Sequence, residues 1–147
     1  MRSNKLKFLL NIFPPYLGTG ITVKQISPDY RETIVQMKRK WYNTNYVKTH
    51  FGGSLYAMTD PFFMLMLIQI LGKDYVVWDK SANIDFIKPG INTVTAKFLI
   101  TDDHLKTIKE NTAEGQKYFH EFEVKIEDEN NELIALVTKV LYIRKKV

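Results

Sequence analysis

One stretch limits what this chain can fold into more than any other: His50 to Leu71, HFGGSLYAMTDPFFMLMLIQIL. It opens on a histidine and, after Phe51, two glycines. It then runs on as apolar sequence broken once, by Asp60-Pro61. A membrane span is excluded, because a carboxylate sits mid-run beside a proline and the unbroken apolar part, Phe62 to Leu71, is too short to cross a bilayer. An apolar segment without a polar face is otherwise a helix buried on all sides. From Gly72 to Val147 the chain reads mostly as sheet, so a single helix wrapped by a sheet is expected. An ionisable residue on such a helix needs a physical reason, since burying an unpaired carboxylate is costly.

The rest of the chain supplies the wrapping. Leu6, Leu9, Leu10 and Phe13 fall at helical spacing, and Pro14-Pro15 is expected to end that N-terminal helix. From Gly20 the period becomes two. Ile21 and Val23 face one way, a turn comes next at Ser27-Pro28-Asp29, and Thr33, Val35, Met37 and Trp41 are expected on the core side of a second strand. After Gly72, Val76, Trp78, Ala82, Ile84 and Phe86 are read as one face of an extended stretch, with Asp79, Ser81, Asn83 and Asp85 on the other. Lys88-Pro89-Gly90-Ile91 has the residues of a type II turn. Val94 to Ile100 returns, and Asp102 and Asp103 are expected to cap a short helix around Leu105 to Glu110, with His104 in a loop. Tyr118, His120, Phe122, Val124 and Ile126 then alternate with charged residues, which makes His120 a core or interface histidine. The final strand, Leu133 to Ile143, is apolar on both faces and so belongs inside the sheet. The fold class is α+β: a single domain over 1–147, an extra N-terminal helix, and an antiparallel sheet around one long helix.

Composition narrows the chemistry. The chain has no cysteine, which removes disulfides, thiolate metal sites and thiol nucleophiles and fits a reducing cytoplasm. No histidine pair has metal-ligand spacing and no serine sits in a G-x-S-x-G elbow. The net charge of +5 and pI near 9.3 favour anionic partners. Gly52 and Gly53 at a helix start leave unpartnered amides that a carbonyl oxygen can approach closely, as an oxyanion hole requires, although glycine pairs also mark plain turns. Asp60 is the candidate base or nucleophile. The competing reading is local: Asp as N-cap with Pro at the first helical position, so that helix begins only at Pro61. His50 is a candidate to orient or protonate a substrate.

Two segments together, GGSLYAMTD (Gly52 to Asp60) and SANIDFIKPG (Ser81 to Gly90), resemble the hotdog-fold thioesterases, especially the phenylacetyl-CoA-type branch and a related uncharacterised family. The resemblance implies a sheet wrapping one long helix, two subunits joining their sheets, and an active site at the subunit interface. It further implies that Gly52 or Gly53 supplies the amide for a thioester carbonyl and that Asp60 activates water or attacks directly. Asn45 corresponds to that branch's loop asparagine, with Asn43 as second choice. Two departures stand out: Phe51 separates His50 from the glycines, and Pro61 comes directly after the carboxylate inside what should be continuous helix, so a kink is expected near Ala57. The His50-Phe51 pair is also similar to the hotdog dehydratases, whose subsequent prolines are missing here.

The resulting expectation is a homodimer or homotetramer, cytoplasmic, that hydrolyses the thioester of an acyl-CoA or an acyl carrier protein. No cofactor is expected beyond the coenzyme A carried by the substrate, and neither a metal, a nucleic acid nor a membrane span. The alternatives are a non-catalytic module that binds a fatty acyl group or acyl-CoA, and an interaction protein whose buried helix is only core.

Overall fold

The period-two segments become one six-stranded antiparallel sheet in the computed structural model, which describes residues 1–147. The strands are β1 (Ile21–Ile26), β2 (Glu32–Met37), β3 (Tyr75–Phe86), β4 (Val94–Leu99), β5 (Tyr118–Asp128) and β6 (Leu133–Lys145). Their order across the sheet is β1-β2-β4-β5-β6-β3, so β1 and β3 are the edges and β6 lies inside, as its two-sided apolar pattern requires. The helices are α1 (Ser3–Asn11), α2 (Pro14–Thr19), α3 (Gly52–Ala57), α4 (Phe62–Leu71) and α5 (Asp102–Thr112). A sheet around one long helical stretch, with helix added at the N-terminus, is the hotdog arrangement.

The apolar run from Gly52 to Leu71 is long and apolar enough to cross a membrane, yet the chain uses it as core. On α4, Phe62, Phe63, Met66 and Leu67 are all buried. Phe63 stacks on Phe122 of β5 at 4.3 Å and meets Phe98 of β4 edge-on at 5.1 Å. Each such pair adds about 0.5–1.5 kcal/mol beyond the area it buries. The helix does not merely kink. Proline breaks it, and the break falls at Met58–Pro61, beyond the expected Ala57. Pro61 has no N–H, so the Ala57 carbonyl loses its donor one turn on. Two replacements serve it: the Asp60 N–H at 3.4 Å and the Tyr16 hydroxyl of α2 at 3.0 Å. The N-terminal hairpin therefore packs where the core helix is broken.

Several local expectations are corrected. Pro14-Pro15 begins α2 as well as closing α1, because proline suits a first helical turn. Trp41 is 89% exposed: β2 stops at Met37, and the chain turns before reaching it. The type II turn at Lys88–Ile91 does not form. Gly90 keeps a negative φ where the third position of that turn needs a positive one, and its carbonyl accepts the His50 N–H at 2.8 Å. Thr101, rather than Asp102 or Asp103, caps α5, and His104 lies inside that helix, its Nδ1 accepting the Thr101 N–H to complete a capping box.

The correction with the greatest consequence lies in β3. Its pairing with β6 shifts by a bulge between Asp79 and Ser81. Before the bulge Val77 and Asp79 lie opposite Ile143 and Leu141, whose side chains are buried; after it Ala82, Ile84 and Phe86 lie opposite Lys139, Val137 and Ala135. Val76 and Trp78 therefore do not share a face with Ile84 and Phe86. A bulged residue inverts the side-chain parity of everything beyond it, and here it turns Asp79 to the inner face.

Candidate functional site

The site is built at the two ends of α3. Phe51 is extended (φ −62°, ψ 129°) and its carbonyl accepts the Ser54 and Leu55 amides at 3.0 and 3.2 Å. That leaves the Gly52 and Gly53 N–H groups with no acceptor in the chain. A side chain at either position would push an exposed ring aside: a Cβ on Gly52 would lie 3.0 Å from the Phe86 ring, and one on Gly53 2.6 Å from the Phe51 ring. The helix start that an oxyanion hole needs is present, and α3 begins before Asp60 rather than after it.

A cavity of about 360 Å³ lies beside Gly52, bordered by Asn45, His50, Leu55, Phe86 and Pro89. A second, of about 450 Å³, borders Gly53 together with Tyr42, Asn43 and Phe51. Asn45 knits the loop before the glycines: its Oδ1 accepts the Val47 and Thr49 amides and its Nδ2 donates to Thr49 Oγ1 at 2.8 Å. Asn43 is buried and donates to the Thr19 and Lys38 carbonyls. His50 is buried too. Its Nε2 lies 2.7 Å from the Asn92 carbonyl, which fixes the proton on Nε2, and Nδ1 has no partner. Burial holds the imidazole below its ordinary pKa, against the pull of the Asn92 contact. His50 thus ties the 90–92 loop to the entry of α3 through both its amide and its ring.

Asp60 sits in the break. No side chain caps α4, so Asp60 is not the N-cap of the local reading. Its Oδ1 instead accepts the Tyr56 hydroxyl at 3.1 Å and Lys139 Nζ at 3.2 Å, while Oδ2 makes no hydrogen bond within the chain. The Asp60 side chain is 52% exposed and that of Lys139 is 1% exposed. Lys139 also donates to the Tyr56 oxygen at 3.1 Å and pairs with Asp79 at 3.1 Å. Three ammonium protons therefore face three oxygens. Burial pulls the Lys139 ammonium down, but its bonds to Tyr56 and Asp79 outweigh that and hold it above the ordinary lysine value. Burial raises the Asp79 carboxyl, with Lys139 opposing. Burial also raises the phenols of Tyr56 and of Tyr16, for which the Asp60 charge adds to the effect.

Sequence reasoning singled out Asp60, Gly52 and Gly53 as candidates but not Lys139, Asp79 and Tyr56, which the structure brings together with Asp60. Lys139 did carry a signal, since it shares its face with Val137 and Leu141, where a lysine must find partners. Asp79 carried none, because the bulge that turns it inward leaves no mark in a period-two reading. The other two histidines pack together away from this cluster, with ring centroids 5.5 Å apart.

A family model described as "Domain of unknown function (DUF4442)" matches residues 3–143. No curated protein matches the chain. Solved structures do. A protein of unknown function from Pseudomonas aeruginosa superposes with a TM-score of 0.83 at 14% identity, covering 97% of this chain and 95% of its own. A thioesterase from Haemophilus influenzae gives 0.72 at 16%, covering 99% and 92%. The PaaI protein of the E. coli phenylacetic acid degradation operon gives 0.63 at 14%, covering 98% and 91%. At these identities the likeness establishes the fold, which is that of the hotdog thioesterases.

Proposed function

The chain belongs to that family of unknown function, and from this premise we propose that it hydrolyses an acyl thioester, with acyl-CoA as the substrate class. One observation carries the reading: unpartnered amides at the start of the core helix, and a carboxylate in its break with one oxygen held and the other free. In the proposed step Asp60 Oδ2 takes a proton from water as that water attacks the thioester carbonyl carbon. The carbonyl oxygen gains negative charge against the Gly52 or Gly53 amide. The C–S bond then breaks, and the proton passes to the leaving thiolate. Asn45 and His50 serve the site by holding the loops that border Gly52. The charge of +5 suits the phosphates of coenzyme A, which enters as part of the substrate, and the lack of cysteine suits the cytoplasm.

One chain alone cannot perform this step. Gly52 and Asp60 are separated by about 12 Å along the helix axis at 1.5 Å per residue, too far to share one carbonyl. Two copies joined along β3 meet the requirement. Gly52 lies against Phe86, while Asp60 is tied through Lys139 to Asp79, nearer the other end of the strand. A two-fold axis near Asn83 would bring the amides of one protomer to the Asp60 of its partner. β3 is an open edge, and Phe51, Phe86, Ile87, Val47 and Tyr46 are exposed beside it or beside Gly52. The Tyr118 and Phe122 face, by contrast, is covered by the chain itself.

The test is thiol release from a panel of acyl-CoAs, and then complementation. Gly52→Pro deletes the amide at a first helical position that proline suits, at the cost of pushing aside the exposed Phe86 ring, and should lower turnover about 100- to 1000-fold. Mixed with Asp60→Asn protein and refolded, it should recover about a quarter of the wild-type rate, because half of random dimers carry one intact site. No recovery would sink the shared site. Tight acyl-CoA binding with no thiol release by the wild type would make this a binding module.

A further inference from the structure

Lys139 stands among the largest fully buried side chains of the protein, in a row of β6 that otherwise carries Val137, Leu141 and Ile143. Asp79 alone would neutralise it. The structure nevertheless gives it a second carboxylate, Asp60, and a phenol, Tyr56, all at 3.1–3.2 Å. These partners come from three places: α3, its break, and β3 at the bulge. Tyr56 accepts from Lys139 and donates to Asp60, so Lys139 reaches the same Oδ1 both directly and through the phenol. Tyr16 approaches from α2 through the Ala57 carbonyl. No other ionisable group bonds to Lys139 or Asp60.

We propose that Lys139 is a positioning residue for Asp60: its ammonium fixes Oδ1, leaves Oδ2 free, and holds Asp60 and Asp79 together in one small site. The role presupposes that Asp60 is the base of the thioesterase reading above. Asp60, Asp79 and Lys139 together carry one net negative charge. Removing the lysine leaves two negative charges side by side, and like charges at this range force one carboxylate to hold a proton. The pair then titrates as a coupled unit.

The experiment compares wild type, Lys139→Met, Asp79→Asn and the double variant, by ¹³C-carboxyl NMR titration and by the pH dependence of kcat/KM on the best acyl-CoA. Lys139→Met should raise the upper carboxyl midpoint of the cluster and the acidic limb of the rate profile together, by about one unit or more. The double variant, which restores the net charge, should bring both back toward wild type. A lysine that only fills space would lower the melting temperature and move neither. If Lys139→Met fails to fold, Asp79→Asn decides: removing one anion should shift the acidic limb and the remaining carboxyl midpoint downward, and unmoved values overturn the proposal. The NMR midpoints need no turnover. Shifting midpoints without thiol release from any acyl-CoA would therefore reject the thioesterase reading while upholding the lysine's hold on the carboxylate. Static midpoints with turnover intact would do the reverse.

Discussion

The two halves of the central helix share one apolar run in the sequence and do opposite work. On α4 the side chains of Phe62, Phe63, Met66 and Leu67 are buried against the sheet, and the one polar residue, Gln69, faces away to the N-terminal ammonium. On α3 and the break after it, two amides are unpartnered, Tyr56 and Asp60 bond to a buried lysine, and a foreign hydroxyl completes a broken backbone bond. Pro61 divides them. A continuous helix would have carried Asp60 round on a regular surface. The interrupted one places it in a short irregular segment where the carboxylate meets solvent on one side and Lys139 on the other. One helical run can thus hold both a packed core and a polar cluster where a proline keeps the two apart.

That contrast can be broken most severely at α4. Phe63→Ala removes a ring stacked between β4 and β5 and should cost about 3–5 kcal/mol in denaturant unfolding, with turnover per folded molecule close to wild type. A comparable loss of turnover in protein that remains folded would show that the halves are not separable. Asp60→Asn tests the other half. Asparagine keeps the shape and an oxygen for Lys139, so melting should move little while thiol release falls by about two to four decades. Unchanged turnover would remove Asp60 from the mechanism. The smallest effect is expected at the seam: Tyr16→Phe takes away the hydroxyl that serves Ala57 and should cost about 0.5–1.5 kcal/mol. A variant as stable as wild type would mean that Asp60 N–H, at 3.4 Å, satisfies that carbonyl unaided.

What could be read from the chain tracked the strength of local periodicity. The inward sets on β2 and β5 and the interior place of β6 rest on long, regular patterns, and the structure keeps them, whereas the helix expected to be buried on all sides is buried on one side, with Ile68 39% exposed. Trp41 was misplaced because apolar character alone extended a strand past Met37. The turn at Lys88–Ile91 was misread because proline and glycine in the right places do not force the positive φ a type II turn needs, and Gly90, bonded to the distant His50, keeps a negative one. The site was half legible. Gly52, Gly53 and Asp60 lie close in sequence, whereas Lys139 lies 79 residues from Asp60 and meets it only through tertiary packing. Asp79 needed knowledge of a bulge, and a bulge depends on how two strands register rather than on either strand alone.

That bulge has a consequence for how the chain tolerates change. The two halves of β3 are read in opposite phase, and Lys80 is the residue at which the phase slips. Deleting one residue there would not shorten the strand harmlessly. It would force a choice between sending Asp79 away from Lys139 and sending Ile84 out of the core. A one-residue insertion elsewhere in β3 would impose the same dilemma at a new place. Substitutions along this edge act one at a time, but length changes act on every residue beyond them, so β3 is a strand in which sequence can drift and spacing cannot.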